Sequence, residues 1–104
     1  MTVAAISLDQ TLHAIADPTR RRILQALKPR GTSSANGAPG GKPNGLCAGD
    51  IEERVRLSQP TISHHMAILR KAGLVDAEKQ GQWRWYRRNE KALRRLVKSL
   101  RAQL

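Results

Sequence analysis

The stretch from Ile51 to Leu74, IEERVRLSQPTISHHMAILRKAGL, leaves this chain the fewest options for its fold. Its second half places Ile62, Met66 and Leu69 at i, i+4 and i+7, the spacing of one helix face. At roughly 100° per residue, Pro60, Ser63, His64, Ala67 and Lys71 fall on the opposite face. That face is small, polar or basic and carries no acid. Ser58 stands where an N-cap belongs, Pro60 falls in the first turn, where it is tolerated, and Gly73 follows as the C′ residue. Residues 48–73 are therefore predicted as two helices joined by a tight turn. A donor-rich outward face suits a DNA major groove, and on its own it suits plain solvent as well.

The charge separates the two. The 104 residues include 19 Lys and Arg against 8 Asp and Glu, a net charge of +11. Residues 70–104 hold 11 basic and 3 acidic side chains, whereas residues 1–69 hold 8 and 5. The positive field is thus concentrated after the second of the two helices. An imbalance of this size selects a polyanion, nucleic acid first and an anionic membrane second. No apolar run reaches the length of a membrane span, and the first residues lack a secretory leader's basic start and cleavage site, so a cytoplasmic protein is expected. The single cysteine excludes an internal disulfide. With no Phe and three aromatics, the core has to be built from Leu, Ile, Val and Ala, and a domain this small gains stability from a partner.

The remaining elements follow in order. Leu8, Leu12 and Ile15 have mostly helical spacing and predict a helix over about 7–16, with His13 partly buried and hydrogen-bonded beside the apolar stripe. Asp17-Pro18 starts a second helix running to about Lys28, with Ile23, Leu24 and Leu27 inward. Arg20, Arg21 and Arg22 oppose its dipole, which points to another use: a phosphate contact, or a pair with Asp17 or an acidic neighbour, against a solvated basic turn. Residues 29–45 hold five of the eight Gly and three of the five Pro and no large apolar side chain, so they read as a flexible insertion loop. A short helix over about 48–56 faces Ile51 and Val55 inward. After Gly73, LVDAEKQ and WRWYRR form a hairpin over 74–88, a basic-tipped wing carrying Lys79, Gln82 and Arg84. Trp83 and Trp85 share a strand face and are expected to pack against the domain. A last helix from about Glu90 to Gln103 carries Leu93, Leu96, Val97, Leu100 and Leu104 on one stripe and basic residues elsewhere.

The fold class is accordingly α+β: one mainly helical domain over 1–104 with a small β-hairpin, a winged helix-turn-helix. The apolar stripes on the two terminal helices, Leu8, Leu12 and Ile15 with Leu93, Leu96, Val97, Leu100 and Leu104, exceed what the central core needs. They predict a homodimer interface. A basic amphipathic helix on a membrane ranks behind, because the last helix has no Trp or Phe anchor.

DPTRRRIL, LCAGDIEERVRLSQPTISHHMAILRKAGLV and GQWRWYR resemble the ArsR family of bacterial winged-helix repressors. The resemblance covers nearly all of residues 8–104 apart from the insertion, and LSQPTISHHMAILRKAGLV is its specific part. It implies a homodimer on an inverted-repeat operator, reading double-stranded DNA from the N-terminal half of the recognition helix through Ser58, Gln59, Thr61, Ser63 and His64. The chemistry agrees: Gln pairs bidentately with an adenine edge, and Ser or Thr bonds a base edge or a phosphate. Lys71, Lys79, Gln82 and Arg84 complete the expected contact set. His65, nearer the apolar face, reads as packed and hydrogen-bonded.

The chain departs from the family's metal sensors. Their C-x-C-D site corresponds here to Cys47, Ala48, Gly49 and Asp50, with one thiolate missing, and a soft metal needs at least two. The site on the last helix needs Asp and His, and residues 90–104 have neither. The sequence looks closer to the non-metal branch, so no metal and no cofactor is expected. Cys47 then replaces a serine N-cap and Asp50 the acid of a capping box. Its place in the first turn of a helix favours a thiolate, which leaves a thiol-responsive repressor as an alternative. A non-specific DNA-coating or protein-interaction module is another. An enzyme is not expected, since there is no P-loop ending, no metal cluster and no nucleophile beside a base. The effector stays unknown.

Overall fold

A computed structural model describes residues 7–28 and 45–104. The predicted insertion falls, but for Gly45, outside the described residues, as does the start of the chain through Ile6. The order is α1 (Leu8–Ala16), α2 (Pro18–Ala26), β1 (Leu46–Cys47), α3 (Ala48–Val55), α4 (Gln59–Lys71), β2 (Val75–Gln80), β3 (Trp83–Arg88) and α5 (Glu90–Gln103). This is the winged helix-turn-helix that the periodicity predicts.

Local chemistry sets the boundaries. Ser7 caps α1 by accepting from the Gln10 N–H at 3.1 Å, and Asp17 caps α2 by accepting from the Arg20 N–H at 3.1 Å. The α2 helix stops at Ala26, two residues before the expected Lys28. At the end of α4, Gly73 adopts φ 78, donates to Arg70 O at 2.9 Å, and lets the Leu74 N–H reach back to Leu69 O at 3.0 Å. That pair of bonds is a Schellman motif, and the positive φ is why glycine belongs there. Arg56 closes α3 in the left-handed region, φ 57, with its N–H on Glu52 O at 2.8 Å, and so makes the tight turn. Asn89 caps α5 by accepting from the Ala92 N–H at 3.0 Å.

The core fills the space between α2, α3, α4 and one face of the sheet. Ile23, Leu27, Ile51, Ile62, Leu69 and Leu74 are its largest enclosed side chains, together with Met66. The sheet order is β1-β3-β2, all antiparallel, with Leu46 opposite Tyr86 and Glu78 opposite Trp85. The third strand, β1, is absent from the sequence reading, because two residues carry no period. Leu46, Val75 and Tyr86 face the core. Trp85 is buried on the other face, stacked on Trp83 with ring centroids 6.2 Å apart, while Trp83 is 41 % exposed. Packing against the domain therefore holds for Trp85 and only partly for Trp83.

The terminal stripe divides as well. Leu96 is buried within the chain, and Leu93 and Ile15 pack against the core. Val97 remains 58 % exposed and Leu104 99 %. The apolar surplus is therefore smaller than the sequence suggests, and it is centred on Val97.

Candidate nucleic-acid interface

The α4 helix presents Ser58, Gln59, Ser63 and His64 exposed, with Thr61 half-buried, while Ile62, Met66 and Leu69 lie underneath. Lys71 is exposed at its last turn. No residue of α4 is acidic. Ser58 takes the N-cap backbone but makes no cap bond with its side chain; its hydroxyl pairs with that of Thr61 at 3.0 Å. This corrects the expected side-chain cap. The hydroxyl of Thr61 lies one turn on, so the two short side chains satisfy each other instead.

On the wing, Lys79 and Arg84 are exposed and directly opposed across β2 and β3. Like charges in that register are mutually destabilising, and an anion placed against them removes the penalty. Gly81, φ 62, makes the tip turn, with Gln82 exposed beside it. Recognition helix and wing thus each offer donors, without a carboxylate on α4.

The arginine run after Pro18 has a further role beyond those expected. Arg20 Nε donates to Ala14 O at 2.6 Å, Arg21 Nη1 to Ile15 O at 2.7 Å, and Arg22 Nη2 to Val55 O at 2.8 Å. These carbonyls belong to the final turns of α1 and α3, which have no intrahelical donors. Arg54 does the same for Ala26 O at 3.4 Å and Arg88 for Leu24 O at 3.3 Å, both in the last turn of α2. Arg88 also pairs with Glu90, Nε to Oε2 at 2.9 Å. Five arginines thus close helix ends while keeping their charge. C-terminal capping is added to the expected uses, and Arg21 and Arg22 stay exposed as a solvated basic turn would have them. The sequence signal was present: cations at a helix N-terminus oppose its dipole and need another reason to be there.

The histidines separate. His65 is half-buried, and its Nδ1 lies 3.2 Å from Arg20 Nη1, in line with the packed, hydrogen-bonded expectation. His64 is exposed, its ring edge-on to that of His65 at 5.1 Å. His13 is exposed rather than partly buried, and its carbonyl accepts from Arg20 Nη2 at 3.3 Å.

Cys47 occupies the N-cap of α3, but its side chain makes no cap bond. Instead its thiol donates to Asp50 Oδ2 at 3.3 Å, which reverses the direction a serine cap would use. Burial pushes the thiol above its ordinary range, and the neighbouring Asp50 charge adds to that. Cys47 is therefore held as a thiol at neutral pH, where it is a poor nucleophile. Alkylation by iodoacetamide near neutral pH should be slower than for a free cysteine peptide, and Cys47→Ser should leave duplex binding and its response to peroxide unchanged. Peroxide-driven release that Cys47→Ser abolishes would reverse this assignment. Among the described residues, no group of three or more His, Cys, Asp and Glu side chains is placed to hold a metal. No described helix is long and apolar enough to cross a membrane.

With this geometry in hand, the chain compares with known proteins as follows. Residues 42–77 match the model of the arsR family of bacterial regulatory proteins. The chain is 40 % identical over 73 residues to the uncharacterized HTH-type transcriptional regulator MJ1325 of Methanocaldococcus jannaschii, covering 70 % of this chain and 67 % of that protein. It is 37 % identical over 86 residues to the transcriptional repressor SdpR of Bacillus subtilis, covering 83 % and 80 %. Among solved structures, HlyU from Vibrio cholerae superposes with a TM-score of 0.62 at 32 % identity, covering 88 % of each chain.

Proposed function

Because the chain belongs to the arsR family of bacterial DNA-binding transcriptional regulators, we propose that it acts as a homodimeric repressor on an inverted-repeat operator. The observation that carries this reading is the outward face of α4, where Gln59, Ser63 and His64 are exposed on a helix without an acid. In the groove, Gln59 pairs with a base edge, Ser63 and Thr61 bond edges or phosphates, and His64 adds a donor. Lys71, Lys79, Gln82 and Arg84 hold the backbone and set the register. A two-fold dimer repeats these contacts one helical turn away, which is what an inverted repeat requires.

The α1–α5 face supports the dimer. Ile15, Leu24, Leu93, Leu96, Val97 and Leu100 line a mainly apolar groove of about 340 Å³, edged by Arg21, Gln25 and Arg88. A second copy covering it buries Val97 and joins two such faces in an isologous contact. In this reading the chain carries no catalytic site, and its place is the cytoplasm, where the DNA is.

A competition titration tests the proposal. The full chain is titrated with duplex from upstream of its own gene and with random duplex of the same length. A specific repressor prefers the first by roughly 10³-fold or more. Equal affinity for both would favour a non-specific coating protein instead.

A further inference from the structure

Arg20, 7 % exposed, ties three helices together. Its Nε and Nη2 hold Ala14 O and His13 O at the end of α1, at 2.6 and 3.3 Å. Its Nη1 lies 3.2 Å from Nδ1 of His65, on the recognition helix. A guanidinium has five N–H donors, no acceptor, and stays charged at any pH a protein meets. The contact therefore requires a lone pair on Nδ1, which fixes His65 as the neutral ring with its proton on Nε2. The titratable groups facing this ring are Asp17 at the cap of α2, Arg20 on α2, and His64 on α4 itself. Asp17 in turn accepts from the Arg20 N–H at 3.1 Å.

We propose that Arg20 and His65 are positioning residues forming a proton-sensitive strut between α1 and the recognition helix, which keeps His64 and its neighbours in reading position only while His65 is neutral. The inference rests on the reading of α4 given above. Protonation turns Nδ1 into a donor facing a donor and sets a second cation 3.2 Å from the guanidinium. Burial already holds His65 below the ordinary histidine range; the Asp17 charge opposes this, and Arg20 and His64 reinforce it. A histidine depressed in the folded state contributes stability that is complete above about pH 6.5, its unfolded value, and is lost as the pH falls through the lower folded value. Duplex binding should weaken over the same window. Because α1 also carries part of the proposed dimer stripe, one guanidinium connects that face to the reading helix.

Two measurements on the full chain decide it. Nitrogen-detected NMR of the imidazoles should find His65 as the Nε2–H tautomer at neutral pH, titrating below about pH 6.5. Affinity for a duplex selected by the chain from a random pool is then compared at about pH 7.5 and about pH 5.5, for the parent and His65→Gln. The glutamine oxygen accepts the same N–H without titrating. Both proteins retain His64, so the difference between their profiles isolates His65. The parent should lose severalfold more affinity than the variant over that span, up to the roughly tenfold ceiling that a titration below about pH 6.5 sets at about pH 5.5. The Nδ1–H tautomer, a titration at or above the free value, or coincident profiles would overturn the strut. Failure of both proteins to select any duplex at neutral pH, with the tautomer as expected, would overturn the reading of α4 and the positioning role with it.

Discussion

Raising the salt from about 50 to about 200 mM should weaken the duplex complex by on the order of 10³-fold or more, as expected for roughly six phosphate contacts. Each neutralised phosphate releases condensed counterions, and added salt opposes that release. The count comes from the cations assigned to the recognition helix and the wing. Arg20, Arg21, Arg22, Arg54 and Arg88 are committed to backbone carbonyls. Lys71, Lys79 and Arg84 are exposed on the interface, and two protomers double them to six. Removing Arg84 should weaken selected and random duplex alike and lower the salt slope by about 2 in a dimer, one contact per protomer. Replacing Arg22 should leave the slope unchanged and cost stability instead, because its guanidinium caps Val55 O. A slope that falls equally in both variants would contradict this division of the arginines.

Val97→Asp should dissociate the proposed dimer while leaving the protomer folded. Val97 is 58 % exposed in the isolated chain, so a carboxylate there stays in water and costs the fold little. At an isologous interface the substitution occurs on both sides; Arg21 and Arg88 line the same groove, yet desolvating two carboxylates there still costs on the order of 3 kcal/mol. The dimer constant should weaken by about 10²-fold or more, and operator affinity should fall with it as the second half-site is lost. Leu96→Ala is the control. Leu96 is buried within the chain, so its truncation should cost about 2–5 kcal/mol of folding stability in monomer and dimer alike. Deleting residues 90–104 would combine both effects, since it removes Leu96 from the core along with the face. Sedimentation of the Val97→Asp protein together with its far-ultraviolet dichroism checks the prediction. A folded dimer would place the interface elsewhere.

The parts of this molecule that repeat along the chain were legible in its residues. Ile62, Met66 and Leu69 announced the buried side of α4, and the β-rich WRWYRR opposite a Gly81 turn announced the wing. What escaped was whatever depends on a partner distant in sequence. Strand β1 exists only because Leu46 and Cys47 meet β3 across the fold. The arginine run is a set of caps because four carbonyls from α1 and α3 converge on the start of α2, and no local pattern encodes that convergence. Cys47 sits at the expected cap, yet its thiol turns to Asp50, because sulfur is a poor acceptor for the helix N–H groups and the carboxylate is close at hand. Leu96 is buried already within the chain, which its helical spacing alone does not reveal, because the packing of α5 on α1 is tertiary.

Gln59→Ala, titrated against the upstream duplex and against random duplex, tests most directly the claim that α4 reads bases. The side chain is exposed in the first turn of α4 and caps nothing among the described residues, so its loss leaves the helix intact. If it pairs with a base edge, discrimination between the two duplexes should fall by roughly 1–3 kcal/mol while random affinity stays the same. An equal loss on both duplexes, or none on either, would contradict the account.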